Sequence, residues 1–156
     1  MKEIAARIHD RTYEIASLLE TAENSLLTRR PGPDKWSVNE ILGHLCDSAL
    51  NNLPRFIVSR YAAQPAVFQP YLQDFWVAAQ NYRDAPSEEI IALWGSLNRQ
   101  AARAIASVTP EQEKLLCKIG ENEPVTLRWL IEDYEEHLEH HLGQIIRLKE
   151  QLEGEI

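Results

Sequence analysis

Apolar residues recur along the chain at three- and four-residue spacing over four long segments, while the two-residue alternation of strands is nearly absent. The first segment runs from about Ile4 to Leu27, with Ile4, Ile8, Ile15, Leu18, Leu19 and Leu26 on its apolar side. The stretch TRRPGPDKW then ends it, because two prolines and a glycine cannot continue a helix. The second segment opens at Ser37. Ser37 and Glu40 have capping-box spacing, in which each side chain satisfies an orphan backbone N–H of the other. It continues to about Tyr61, and Pro54 inside it predicts a kink rather than an end. Residues 64–86 form a long connection holding Pro65, Pro70 and Pro86, within which YLQDFWVAAQNY can make a short helix. A third helix is predicted from Ser87, its cap, with Glu88 and Glu89 in the first turn, to about Val108. After the irregular TPEQEKLLCKIGENEPV, Thr126 caps a fourth that ends near Leu152.

Four helices of roughly 20 to 26 residues, each about 30–40 Å long at 1.5 Å per residue, predict an all-α fold. The expected architecture is one four-helix-bundle domain over residues 1–156. The short first connection predicts helices one and two as antiparallel neighbours. The long 64–86 connection predicts a crossover between helices two and three.

Composition narrows the function. A formal net charge of −8 repels DNA, RNA and anionic membranes alike, so neither a nucleic-acid nor a membrane partner is expected. A small-molecule substrate is compatible with it. Cys46 and Cys117 are too few for a disulfide scaffold and form no CxxC pair, and no segment approaches the roughly 18 apolar residues of a membrane span. The expected location is cytoplasmic.

The stretch DYEEHLEHHLGQ gathers three of the five histidines. At about 100° per residue, Leu127, Leu130, Ile131, Tyr134, Leu138, Leu142, Ile145 and Leu152 form one apolar stripe. His141 falls inside that stripe, His137 on its edge, and His140 on the solvated side. His137 and His141, at i and i+4, have Cβ atoms about 5–6 Å apart and can converge on one ion. On the second helix His44 stands beside the stripe of Val38, Ile41, Leu42, Leu45, Ala49 and Phe56, and Ser48, Asn51 and Arg55 share its flank. A polar seam facing a bundle core implies something polar inside. Gly43 and Gly143, each near a histidine, either let the helices approach closely there or are simply tolerated. Trp36, Trp76, Trp94 and Trp129 read as core and helix-end packing.

KWSVNEILGHLCDS followed far downstream by EEHLEHHLGQI closely resembles the DinB-like (damage-inducible, YfiT-type) superfamily of metal-binding four-helix bundles. The resemblance spans essentially the whole chain. It implies one divalent metal ion, zinc or nickel, held by His44, His137 and His141, the three that the helical periodicity turns inward. It also implies a homodimer and, by likeness to some members, a low-molecular-weight bacterial thiol as cofactor of an S-transferase. Family members that isomerise maleylpyruvate carry a carboxylate in place of one HxxxH histidine, a pattern from which this chain departs.

Three neutral imidazoles leave a metal's charge uncompensated and a coordination position open, as in catalytic rather than structural zinc sites. Such an ion activates water or a thiol. Arg55 or Asn51 is then placed to orient an anionic substrate group, and Glu40 to orient a ligand or merely to cap its helix. Di-iron bundles need Glu-x-x-His pairs, which this sequence lacks. The rival reading is a non-catalytic metal-binding bundle acting as an interaction module, since no acid or base beyond the ligands stands out. Solvent access to the ion separates the two.

Overall fold

A computed structural model describes residues 1–155. Its long helices are α1 (Lys2–Glu20), α3 (Val38–Val58), α5 (Ser87–Ala106) and α6 (Leu127–Glu153). Two short helices, α2 (Asn24–Thr28) and α4 (Gln73–Ala79), lie in the connections. The strands β1 (Ala66–Phe68), β2 (Leu116–Ile119) and β3 (Val125–Thr126) make a small sheet. The fold is therefore mostly helical, with a sheet that the periodicity did not predict. β1 pairs in parallel with β2 through Ala66 and Cys117, and β2 pairs antiparallel with β3 through Leu116 and Thr126. Among the described residues no helix is long and apolar enough to cross a membrane.

The predicted caps hold at two helices. Ser37 and Glu40 form a complete capping box, and Thr126 accepts from the backbone N–H of Trp129. α3 runs on through Pro54 to Val58. At α5 the expectation needs correcting. Pro86 precedes the helix, and Ser87 is its first residue, with its hydroxyl within hydrogen-bond distance of Asn24 Oδ1 (2.6 Å) and Asn39 Oδ1 (2.9 Å). The first helix is also shorter than predicted, because the chain turns extended at Glu23 before α2 begins. Leu26 and Leu27 keep the helical spacing and are buried from this separate turn.

Helices one and two are not neighbours. α1 packs on α5 and α6, and α3 packs on the same two from the opposite corner. Ending α1 at Glu20 lengthens the connection to residues 21–37, enough chain to reach the diagonal position. Cross-helix contacts fix the directions. Arg7 pairs with Glu135 and Arg11 with Glu139, so α1 and α6 run in the same sense. His44 meets His137 and His141 while Phe56 stacks edge-on against Tyr134, so α3 and α6 run in opposite senses.

The core divides into two apolar clusters. One gathers Leu19, Ile41, Leu45, Trp94, Leu138 and Leu142, and the other Ile8, Ala49, Phe56, Ala101, Leu130 and Tyr134. The changeover lies between Leu45 and Ala49 on α3 and between Leu138 and Tyr134 on α6. His137 lies in that interval on α6, whereas His44 lies just before it on α3, between Leu42 and Leu45 of the first cluster.

The two glycines serve neither a common purpose nor close helix–helix approach. Gly43 takes the ring of Tyr82, from the turn after α4, so closely that a Cβ there would lie 2.2 Å from its Cγ and Cδ2. Tyr82 in turn donates to Asp47 Oδ1 at 2.8 Å. At Gly143 a Cβ would meet only the flexible end of Arg147, at 3.3 Å. Gly43→Ala is therefore expected to cost about 1–3 kcal/mol, the range for overpacking. Gly143→Ala is expected to be neutral or stabilising by up to about 1 kcal/mol. Urea unfolding of the two variants checks the contrast, and equal losses would contradict it.

Candidate metal centre

α3 and α6 face each other in opposite senses, so a single α3 histidine lies opposite an i, i+4 pair on α6. Ring centroids are 5.0 Å apart for His44 and His137, 4.9 Å for His44 and His141, and 4.6 Å for His137 and His141. One nitrogen from each ring lies within 4.8 Å of the others. No fourth histidine, cysteine, aspartate or glutamate joins the group among the described residues. His140 touches only the outer side, 5.2 Å from His141, and is exposed.

Does this donor set fit an ion? His44 is 1% exposed, and its Nε2 faces His137 Nε2 at 3.1 Å. Two nitrogens on one tetrahedral zinc sit about 3.3–3.4 Å apart, from bonds of about 2.0–2.1 Å. The approach is therefore close to a shared-ligand geometry. His141 Nδ1 meets Gln144 Oε1 at 2.9 Å, which fixes the proton on Nδ1 and leaves the Nε2 lone pair free. His44 Nδ1 is buried with no hydrogen-bond partner among the described residues. A ring left with one orphaned nitrogen is costly in a bundle core unless the other meets something strongly attractive. The three residues could hold one divalent ion.

Electrostatics prepares the same state. Burial, and then the neighbouring His137 and His141, push His44 down to about 3. Burial, with His141 and His140, takes His137 to about 4, and burial also lowers His141. All three rings are thus neutral at pH 7, the form that binds metals.

The surroundings are partly those expected. Ser48 and Arg55 are buried on the His44 flank and line a cavity of about 260 Å³ together with Asn52, Tyr71, Trp129 and His137. Asn51, expected there, instead donates to the backbone of Asp47. Glu40 orients no histidine. Burial opposes its ionisation, but Arg30 and the Ser37 donors prevail and hold it below the usual carboxylate range. Trp94 is core, whereas Trp129 is half exposed beside the cavity, and the Trp36 ring lies 5.3 Å from that of His44. Asp47 is the residue that sequence reasoning missed. It is fully buried one turn after His44 and accepts from Tyr82 and Gln80. Its Oδ2 has no hydrogen-bond partner among the described residues, and burial raises its pKa. Its i+3 spacing from His44 was a visible signal, but nothing in the sequence indicated that its partners would come from a distant connection.

Comparisons with known proteins agree with this picture. The profile of the DinB superfamily matches residues 7–145. YfiT of Bacillus subtilis (strain 168), named as a proposed metal-dependent hydrolase, is 26% identical over 118 residues, covering 75% of this chain and 66% of that one. The chain thus spans just under two thirds of this relative's length. A proposed metal-dependent hydrolase of Bacillus mycoides (strain KBAB4) is 23% identical over 145 residues, 93% of this chain and 83% of the other. The solved structure of Bacillus subtilis YfiT, described as a probable metal-dependent hydrolase with an unusual four-helix bundle topology, shares the fold. Its TM-score is 0.86 at 22% identity, over 96% of this chain and 86% of that one.

Two outcomes are expected. Alanine at His44, His137 or His141 removes stoichiometric zinc or nickel uptake, as measured by elemental analysis, while His140→Ala keeps it. For metal-free protein, His44 and His137 hold protons less tightly when folded than the ordinary 6.5. Their contribution to stability is therefore complete above about pH 6.5 and is lost as pH falls toward 4. Chemical unfolding between pH 7.5 and 4.5 should show this loss, with a shallower slope in His137→Asn. Identical slopes would contradict it.

Proposed function

Because this chain belongs to the DinB superfamily, we propose that it is a metal-dependent enzyme. His44, His137 and His141 hold one divalent cation, zinc or nickel, at an open site that activates a nucleophile. The observation that carries this reading is the convergence of three neutral imidazoles, with no fourth ligating side chain among the described residues, beside a cavity that His137 lines. A structural site would be closed by a fourth protein ligand, so a set of three favours the enzyme over the interaction module. The relatives' names favour hydrolysis, with water as the nucleophile. A low-molecular-weight thiol is the second nucleophile such a site accommodates, and would make the reaction an S-transfer.

When bound, the ion supplies Lewis acidity and lowers the pKa of a water or thiol at its open position. The chain does the rest. Gln144 holds His141 in one tautomer, burial keeps His44 and His137 unprotonated, and the Trp36 ring covers His44. Ser48, Asn52 and Tyr71 offer polar groups along the approach to His137. We further read residues 59–86 as a crossover that returns the chain along the bundle, since α3 and α5 run in the same sense: Asn39 meets Ser87, and Cys46 reaches Ile90.

The test compares zinc-loaded, nickel-loaded and metal-free protein on a panel of activated esters and amides, with and without a low-molecular-weight thiol. Turnover is expected only with metal, falling at least about a hundredfold in His44→Ala and persisting in His140→Ala. Dependence on the thiol would select S-transfer over hydrolysis. Turnover that is indifferent to both metal and His44 would refute the proposal.

A further inference from the structure

Arg55 is 7% exposed, in the last turn of α3, and walls the same cavity as His137. Among the described residues it has no carboxylate within ion-pair distance, although seven other basic or histidine side chains are in ion pairs, none closer to full burial. Its protein contacts are neutral. Nη2 donates to the carbonyl of Gln69 at 3.1 Å and Nη1 to Asn52 Oδ1 at 3.3 Å. Burial pulls its pKa down.

A guanidinium has five N–H donors, and these two bonds leave three, including Nε–H. That edge forms the fork that grips an oxyanion in two parallel hydrogen bonds. The carbonyls at the end of α3 offset part of the charge, but a desolvated cation without a counter-ion remains expensive. Asp133, the carboxylate lining the cavity, is exposed and makes no ion pair with Arg55 among the described residues. On a chain of net charge −8, an unneutralised buried arginine is a poor structural choice and a good place for an anionic guest.

We infer that Arg55 is the anchor for an oxyanion group of the substrate, so that the site takes an elongated small molecule with its anionic end at Arg55 and its reacting bond at the histidines. This rests on the metal-centre reading above. Arg55 and His137 wall one cavity, so a single small molecule can reach both. The other half of the groove supplies Trp129, half exposed and suited to stack on an apolar midsection. Arg55 acts here as a binding and positioning residue.

The test titrates full-length protein, zinc-loaded and zinc-free, with hippurate (an amide with a terminal carboxylate), with its uncharged methyl ester, and with inorganic phosphate. Calorimetry gives affinity, and the Nε–H resonance of Arg55 reports the contact in the unmutated protein. Hippurate is expected to saturate, to move that resonance, and to bind at least about tenfold tighter than the ester. Arg55→Met should erase that preference while keeping zinc stoichiometry and melting temperature. The same Arg55-dependent pattern with phosphate instead of hippurate makes the oxyanion a phosphate. The proposal falls if neither anion saturates, if the Arg55 resonance stays still, or if Arg55→Met binds hippurate as the original does. A lower melting temperature in Arg55→Met with no anion-induced shift in the unmutated protein makes Arg55 a structural strap and also overturns it. Zinc uptake is scored separately. Arg55-dependent hippurate binding by a protein that takes up no zinc would keep the anion subsite and remove the metal reading.

Discussion

Neutral imidazoles in a helical core lose their hydration, and the loss is recovered only if their lone pairs meet something that attracts them. That constraint governs the contact between α3 and α6. The two helices run in opposite senses, and His44 meets His137 and His141 beside the first apolar cluster, with only His137 between it and the second. Were these three positions leucines, the bundle would bury more apolar area, which the histidines forgo. Ion pairs on the far side, Arg7 with Glu135 and Arg11 with Glu139, tie α6 to α1 along its solvated face. Such exposed pairs contribute little stability, but they help fix which face of α6 turns toward α3.

A second constraint is charge. Three depressed histidines and a buried arginine make a positive or neutral interior in an acidic protein. Buried Asp47, whose pKa burial raises against the hydrogen bonds of Tyr82 and Gln80, stands one turn after His44. The low-dielectric walls strengthen whatever field the arginine and a bound cation create. On the proposal that Arg55 anchors an oxyanion, the site attracts anions on a chain whose net charge of −8 repels them.

The bundle and the inward histidines were legible because a long amphipathic helix repeats its signal many times. His137 and His141 could be sorted from His140 by angle alone, and His44 by its place beside the α3 stripe. What stayed hidden was short or non-local. β1, β2 and β3 are strands of three, four and two residues, too brief to show alternation. The diagonal placement of α1 and α3 depended on where α1 stops, and the run of apolar residues through Leu27 concealed a break at Glu23. Asn52 rather than Asn51 faces the cavity, a difference of one residue, or about 100°, that the position of a neighbouring helix decides. Gly43 was noticed for its neighbour in sequence, when its reason was Tyr82, from the turn after α4.

That last contact belongs to a wider pattern. Gln69 holds Arg55, Tyr71 walls the cavity, and Gln80 and Tyr82 hold Asp47, all from residues 69–82. None of these residues lies on the helices that carry the histidines. The connection thus braces Arg55 and Asp47 on α3 from outside that helix, and a substitution between Gln69 and Tyr82 can shift those side chains while leaving all three histidines in place.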